Sequence, residues 1–91
     1  MKHYLISYDL HKERNYKRIE EGVSKVGDGG FTNPLATVFI VKSSLPIRII
    51  RDTLLAYVDL DDSVFVMELS PLSKWEGFNI PSEVAKWINE N

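Results

Sequence analysis

No cysteine occurs in the chain. Its absence removes disulfides, thiolate metal centres and a cysteine nucleophile together, and it fits a reducing, cytoplasmic setting. No apolar run approaches the roughly 20 residues needed to span a bilayer, and no signal-peptide core precedes Asp9, so a soluble protein without a membrane partner is expected. Basic charge is also scarce: 11 basic against 13 acidic side chains leave a net charge of −2. Phosphate contacts dominate nucleic-acid affinity, so this balance argues against tight, indiscriminate binding and leaves room only for a local basic face. Glycine-rich phosphate loops, zinc-ligand sets and nucleophile elbows are missing as well. What remains is a 91-residue chain with an ordinary 44% of hydrophobic residues. That is enough for one domain with one modest core, of the size that often gains stability by pairing.

His3 to Leu10, HYLISYDL, alternates with apolar groups on both faces for part of its length, as a strand inside a sheet does. Tyr16, Ile19, Val23 and Val26 follow at helical spacing, with Lys17, Arg18, Glu20, Glu21 and Lys25 on the other side. Gly22 lies inside this helix at a cost of roughly 1 kcal/mol relative to alanine, which suggests close packing there. Gly27-Asp28-Gly29-Gly30 stops the helix.

Phe31 to Ser43 contains Pro34, which cannot donate to a ladder. A short strand around 31–35 and a stronger one over 36–42 are expected, with one long bent strand as the alternative. Ser43 or Ser44 is expected to cap a second helix that has Pro46 in its first turn. Ile47, Ile50, Leu54 and Tyr57 or Val58 form its buried stripe, and Arg48, Arg51 and Asp52 its outer side. Asp59-Leu60-Asp61-Asp62 ends it, and Ser63 to Leu69, SVFVMEL, is the last core strand. The remainder carries Trp75, Phe78 and Ile80 in a polar loop, then a short helix from Pro81-Ser82 in which Val84, Trp87 and Ile88 share a face.

Strand, helix, strand pair, helix, strand is the split βαβ pattern. The chain is therefore read as an α+β domain, 1–91, of ferredoxin-like plan β-α-β-β-α-β, with a core at about 3–69 and a C-terminal tail at 70–91. Each main helix has one apolar stripe, so both must cover the same sheet face. The tail or a second copy must then cover the other face.

Three segments give a family resemblance. The first strand ends in Tyr8-Asp9-Leu10, the strand Ala36-Thr37-Val38-Phe39-Ile40-Val41 opens small-hydroxyl-valine-phenylalanine, and Asp59-Leu60-Asp61-Asp62-Ser63-Val64 is an acidic turn opening a strand. In this order the chain resembles the CRISPR-associated protein 2 family and, more remotely, virulence-associated protein D ribonucleases. The resemblance implies a homodimer that binds RNA or DNA in antiviral defence, with a protein partner in an adaptation complex. It also implies a metal-dependent endonuclease in which Asp9 holds Mg²⁺ or Mn²⁺. The segment Trp75-Glu76-Gly77-Phe78 and the final helix depart from the family pattern.

Asp9, at the end of a central strand, would meet its own copy in a twofold dimer, and hard divalent cations favour shared carboxylates. The plain alternative is an aspartate that caps the turn toward the first helix. His11 is near enough in sequence to act as a general base, or is simply an exposed loop histidine. Lys12, Arg14, Lys17 and Arg18 would touch phosphates near Asp9, or form the solvated face of an amphipathic helix with Glu13, Glu20 and Glu21 interspersed. Against the enzyme stands a non-catalytic dimer serving as a structural or adaptor protein. Asp59, Asp61 and Asp62 lack the glycine and distal glutamate of a calcium loop and read as a turn. Trp75, Phe78 and Trp87 could stack bases, but suit a tail folded on the sheet or an interface better.

Overall fold

Along β1 (Lys2–Asp9) Tyr4, Ile6 and Tyr8 are buried while His3, Leu5 and Ser7 are half-buried. This period-2 alternation sets one sheet face against the helices. The computed structural model describes residues 1–91. Its elements run β1, α1 (Tyr16–Val26), β2 (Phe31–Leu35), β3 (Val38–Ser43), α2 (Ile47–Leu54), a 3-10 turn at Leu55–Tyr57, β4 (Ser63–Leu69) and α3 (Ser82–Glu90). The four strands form one antiparallel sheet in the order β2-β3-β1-β4. This is the ferredoxin-like α+β arrangement read from the sequence.

Helix α1 starts where the Asn15 side chain accepts the Arg18 amide hydrogen at 3.1 Å, satisfying one donor that the first turn leaves free. Ile19, Gly22, Val23 and Val26 are its buried face. Tyr16 begins the stripe yet stays 43% exposed, because it opens the helix and only its ring edge reaches Tyr8, with centroids 6.2 Å apart. Gly30, at φ 116, takes the chain into β2. The hairpin then splits the 31–43 run into two strands across the turn Ala36-Thr37, so β3 begins two residues later than expected. Asn33 ties the turn by donating to the carbonyls of Leu35 and Val38.

The expected serine cap of α2 is not made. Ser43 is the last residue of β3, with its buried hydroxyl accepting from the Leu45 amide at 3.1 Å. Ser44 spends both its amide and its hydroxyl on Asp28. Pro46 holds the cap position at φ −64 without a side-chain hydrogen bond; lacking an N–H, it leaves one donor fewer to satisfy. Tyr57 and Val58 fall beyond the helix, in the 3-10 turn and after it.

The core lies between the helices and one sheet face. Tyr4, Ile6, Tyr8, Ile19, Val23, Val26, Phe39, Val41, Ile50 and Leu54 form it, with Leu10 closing one end. The second face is covered in part. From Leu69 on β4, at one edge of the sheet, the chain travels to the opposite edge, where α3 packs on β2. There the Trp87 indole lies over Gly30, 3.5 Å from where a Cβ would stand, and Val84 is buried. At the β4 edge Phe65 and Met67 remain 54% and 50% exposed. No helix is long and apolar enough to cross a membrane.

Candidate nucleic-acid and metal site

Asp9 ends β1 opposite Ser63, is exposed, and shares the second sheet face with Leu5 and Ser7 by strand alternation. No side-chain hydrogen bond or ion pair engages its carboxylate. The turn-capping role that a strand-terminal aspartate would suit is filled by Asp62. Its Oδ1 accepts the His11 amide hydrogen at 2.9 Å and its Oδ2 that of Asp59 at 2.8 Å. The backbone amides of Asp59 and His11 hold the Asp62 carboxyl below the usual aspartate range, with the charges of His11 and Arg18 adding to this. Asp62 thus clasps the loop after β1 to the loop before β4. Asp28, at the other end of the sheet, is lowered likewise, first by the Ser44 hydroxyl and then by the Ser44 amide.

The two aspartates predict an acid dependence of stability. A carboxyl whose folded value lies below its unfolded value, about 3.9, stabilises fully above that value. The contribution is lost as pH falls through the folded value. The urea midpoint is therefore expected to decline from about pH 5 downward, and the double variant Asp28→Asn, Asp62→Asn to decline less steeply over the same range. Equal slopes would deny both carboxyls this role.

His11 is exposed and is held through its main chain. Lys12, Arg14 and Lys17 are exposed at the start of α1 and make no ion pair. Arg18 differs: its guanidinium meets Asp59 at 3.3 Å and the Ala56 carbonyl at 3.1 Å, bracing α1 against the end of α2. Tyr8 is a core residue. Its hydroxyl donates to the Ala36 carbonyl at 2.9 Å, and burial, with Tyr16 and Glu20 nearby, pushes its phenol up. One chain therefore gathers Asp9, the His11 loop and three free cations around one end of β1.

A resident cation does not fit a single chain. No group of three or more His, Cys, Asp or Glu side chains converges anywhere in the fold, whereas a bound Mg²⁺ takes one or two carboxylates together with several waters. Asp9 supplies one. A second would have to come from another copy.

The order β2-β3-β1-β4, with both main helices on one face, is shared with a solved structure. The crystal structure of Streptococcus pyogenes Cas2 at pH 6.5 superposes with a TM-score of 0.55, covering 82% of this chain and 99% of that one at 23% identity. The chain has a Cas2-like fold. No family model and no curated protein matches the sequence. At this identity the likeness to Cas2 rests on backbone topology, so the residues around Asp9 have to carry any functional argument themselves.

The sequence reading missed two features. Asp62 was grouped with its neighbours as a helix-ending turn; its spacing of three from Asp59, typical of a side chain that returns to a nearby amide, was the available signal. The exposed strip on β4 was missed because Ser63 to Leu69 is too apolar throughout to reveal which face lies open.

Proposed function

We propose that this Cas2-like chain works as a cytoplasmic homodimer that holds nucleic acid, with the Asp9 carboxylates of two copies sharing one Mg²⁺ or Mn²⁺. The observation that carries the reading is Asp9 itself. It is exposed and unpartnered on the sheet face where Phe65 and Met67 also lie open. A structural aspartate would be engaged, as Asp62 is. A second copy seated on that apolar strip would be held by burial and would bring a second carboxylate toward the first. Lys12, Arg14 and Lys17, free of ion pairs, supply phosphate contacts at the same end of β1. A shared ion would supply polarisation of a phosphodiester oxygen and of a water.

A second reading is a non-catalytic dimeric adaptor within an adaptation complex. The single donor per chain, and the commitment of Arg18 to Asp59, favour it.

Cleavage of labelled single-stranded RNA, single-stranded DNA and duplex DNA, with Mg²⁺, Mn²⁺ or EDTA, separates the two. On the enzyme reading Asp9→Ala falls to the EDTA background while still folding and dimerising, and the cleaved strand names the substrate. No cleavage, or equal cleavage by Asp9→Ala, leaves the adaptor. A sedimentation mass of one chain at working concentration would defeat both.

A further inference from the structure

The sheet has two edges, and they differ. On β2, Pro34 offers no N–H, the register with β3 shifts between Thr32 and Leu35, and α3 packs alongside. These are devices that keep an edge from pairing further. β4 has none of them. It runs in unbroken register with β1 from His3↔Leu69 to Asp9↔Ser63, and it contains no proline and no lysine. Its one charge, Glu68, is taken up by Lys2 at 3.5 Å. Half of its backbone N–H and C=O groups consequently face outward, unpaired.

Beside this edge, α2 and β4 enclose a groove of about 280 Å³ lined by Ile47, Arg48, Arg51, Val64, Phe65 and Val66. Arg51 is held by the adjacent Asp52 at 2.7 Å, whereas Arg48 has no anionic partner. The site thus combines a row of backbone donors and acceptors, an aliphatic groove and an unneutralised guanidinium.

We infer that β4 and the α2 groove form a docking site for an extended, acidic segment of a partner protein, added to the sheet as a fifth strand. Only a peptide backbone matches the spacing of an open strand edge. Alternate side chains of that strand would point to one face, so an aliphatic residue enters between Ile47 and Val66 while an acidic one reaches Arg48. A nucleic acid would satisfy the arginine but not the backbone row, and Phe65 is the one aromatic ring lining the groove. A second copy pairing its own β4 here would set the arginines of two α2 helices against each other, which like-charge repulsion opposes. The inference does not depend on Asp9.

The test is selection of random twelve-residue peptides displayed on phage against the full chain, followed by synthesis of the enriched peptides. Alternating aliphatic and acidic residues are expected. Binding should slow amide exchange within 63–69, and Arg48→Glu, an exposed position, should weaken it by roughly tenfold or more. Replacing the peptide's acidic residue by lysine should restore affinity to Arg48→Glu. Three outcomes would overturn the inference: enriched peptides that leave β4 exchange unchanged, protection of β4 by raised protein concentration alone, or its protection by a twelve-nucleotide single strand instead. Failure to enrich any peptide would overturn it too. Cleavage or its absence with Asp9→Ala has no bearing on these outcomes.

Discussion

Ile6→Ala is expected to lower the free energy of unfolding by about 2–5 kcal/mol. Ile6 is wholly buried, in the middle of β1, and β1 is paired on both sides, with Phe39 of β3 and Val66 of β4 as its neighbours in register. Removing its outer carbons loses their transfer free energy, and it leaves a cavity beneath both helices that paired strands cannot collapse to fill. Domains of this size are stable by roughly 0.05–0.15 kcal/mol per residue, so the loss is a large share of the whole. Leu60→Ala is the contrast. Leu60 is fully exposed in the turn before β4, and its loss should stay within about 0.5 kcal/mol. Urea unfolding with an unchanged m-value measures both. Similar midpoints for the two variants would mean that the core does not lie beneath β1.

Gly22→Ala should destabilise although alanine is the better helix former. A Cβ at Gly22 would stand 2.8 Å from Cγ and Cδ2 of the Tyr57 ring and 3.2 Å from a Leu54 methyl carbon. The ring cannot withdraw along a flexible stem, and Leu54 is fully buried. Overpacking of this kind costs about 1–3 kcal/mol, against a helix-propensity gain of about 1 kcal/mol. A net loss of up to about 2 kcal/mol is expected from the difference of those two figures. The sign should reverse in a Tyr57→Ala background, where propensity is left and the clash is gone. Additive effects in that double-mutant cycle would show that α1 does not approach the 3-10 turn this closely.

Gly22 shows how far local reading goes. A glycine inside an amphipathic stripe signals close packing, but only the fold names Tyr57, 35 positions away, as the neighbour. The serines before α2 show the opposite. Ser43 and Ser44 are good caps by residue type, yet strand geometry claims the first and Asp28 the second. A distant partner outcompeted a local preference, as it does wherever one hydroxyl has two places to donate or accept.

Asp9 follows the same logic. Its place at the end of β1 was legible, because a strand must end where alternation gives way to polar residues. Whether it was the turn's cap or a free carboxylate was not, since Asp62 lies 53 positions on and reaches the turn only after β4 pairs with β1. Arg18 was likewise one cation among several until α1 met the end of α2.

By itself, then, the sequence determined the number and order of the elements and the face each helix buries, because periodicity, glycine stops and prolines act within a few residues. Tertiary structure alone decided which acids are engaged, which cations are free, and that β4 is left as the open edge. Those depend on strand order and side-chain competition between segments far apart in the chain, for which no short-range pattern exists.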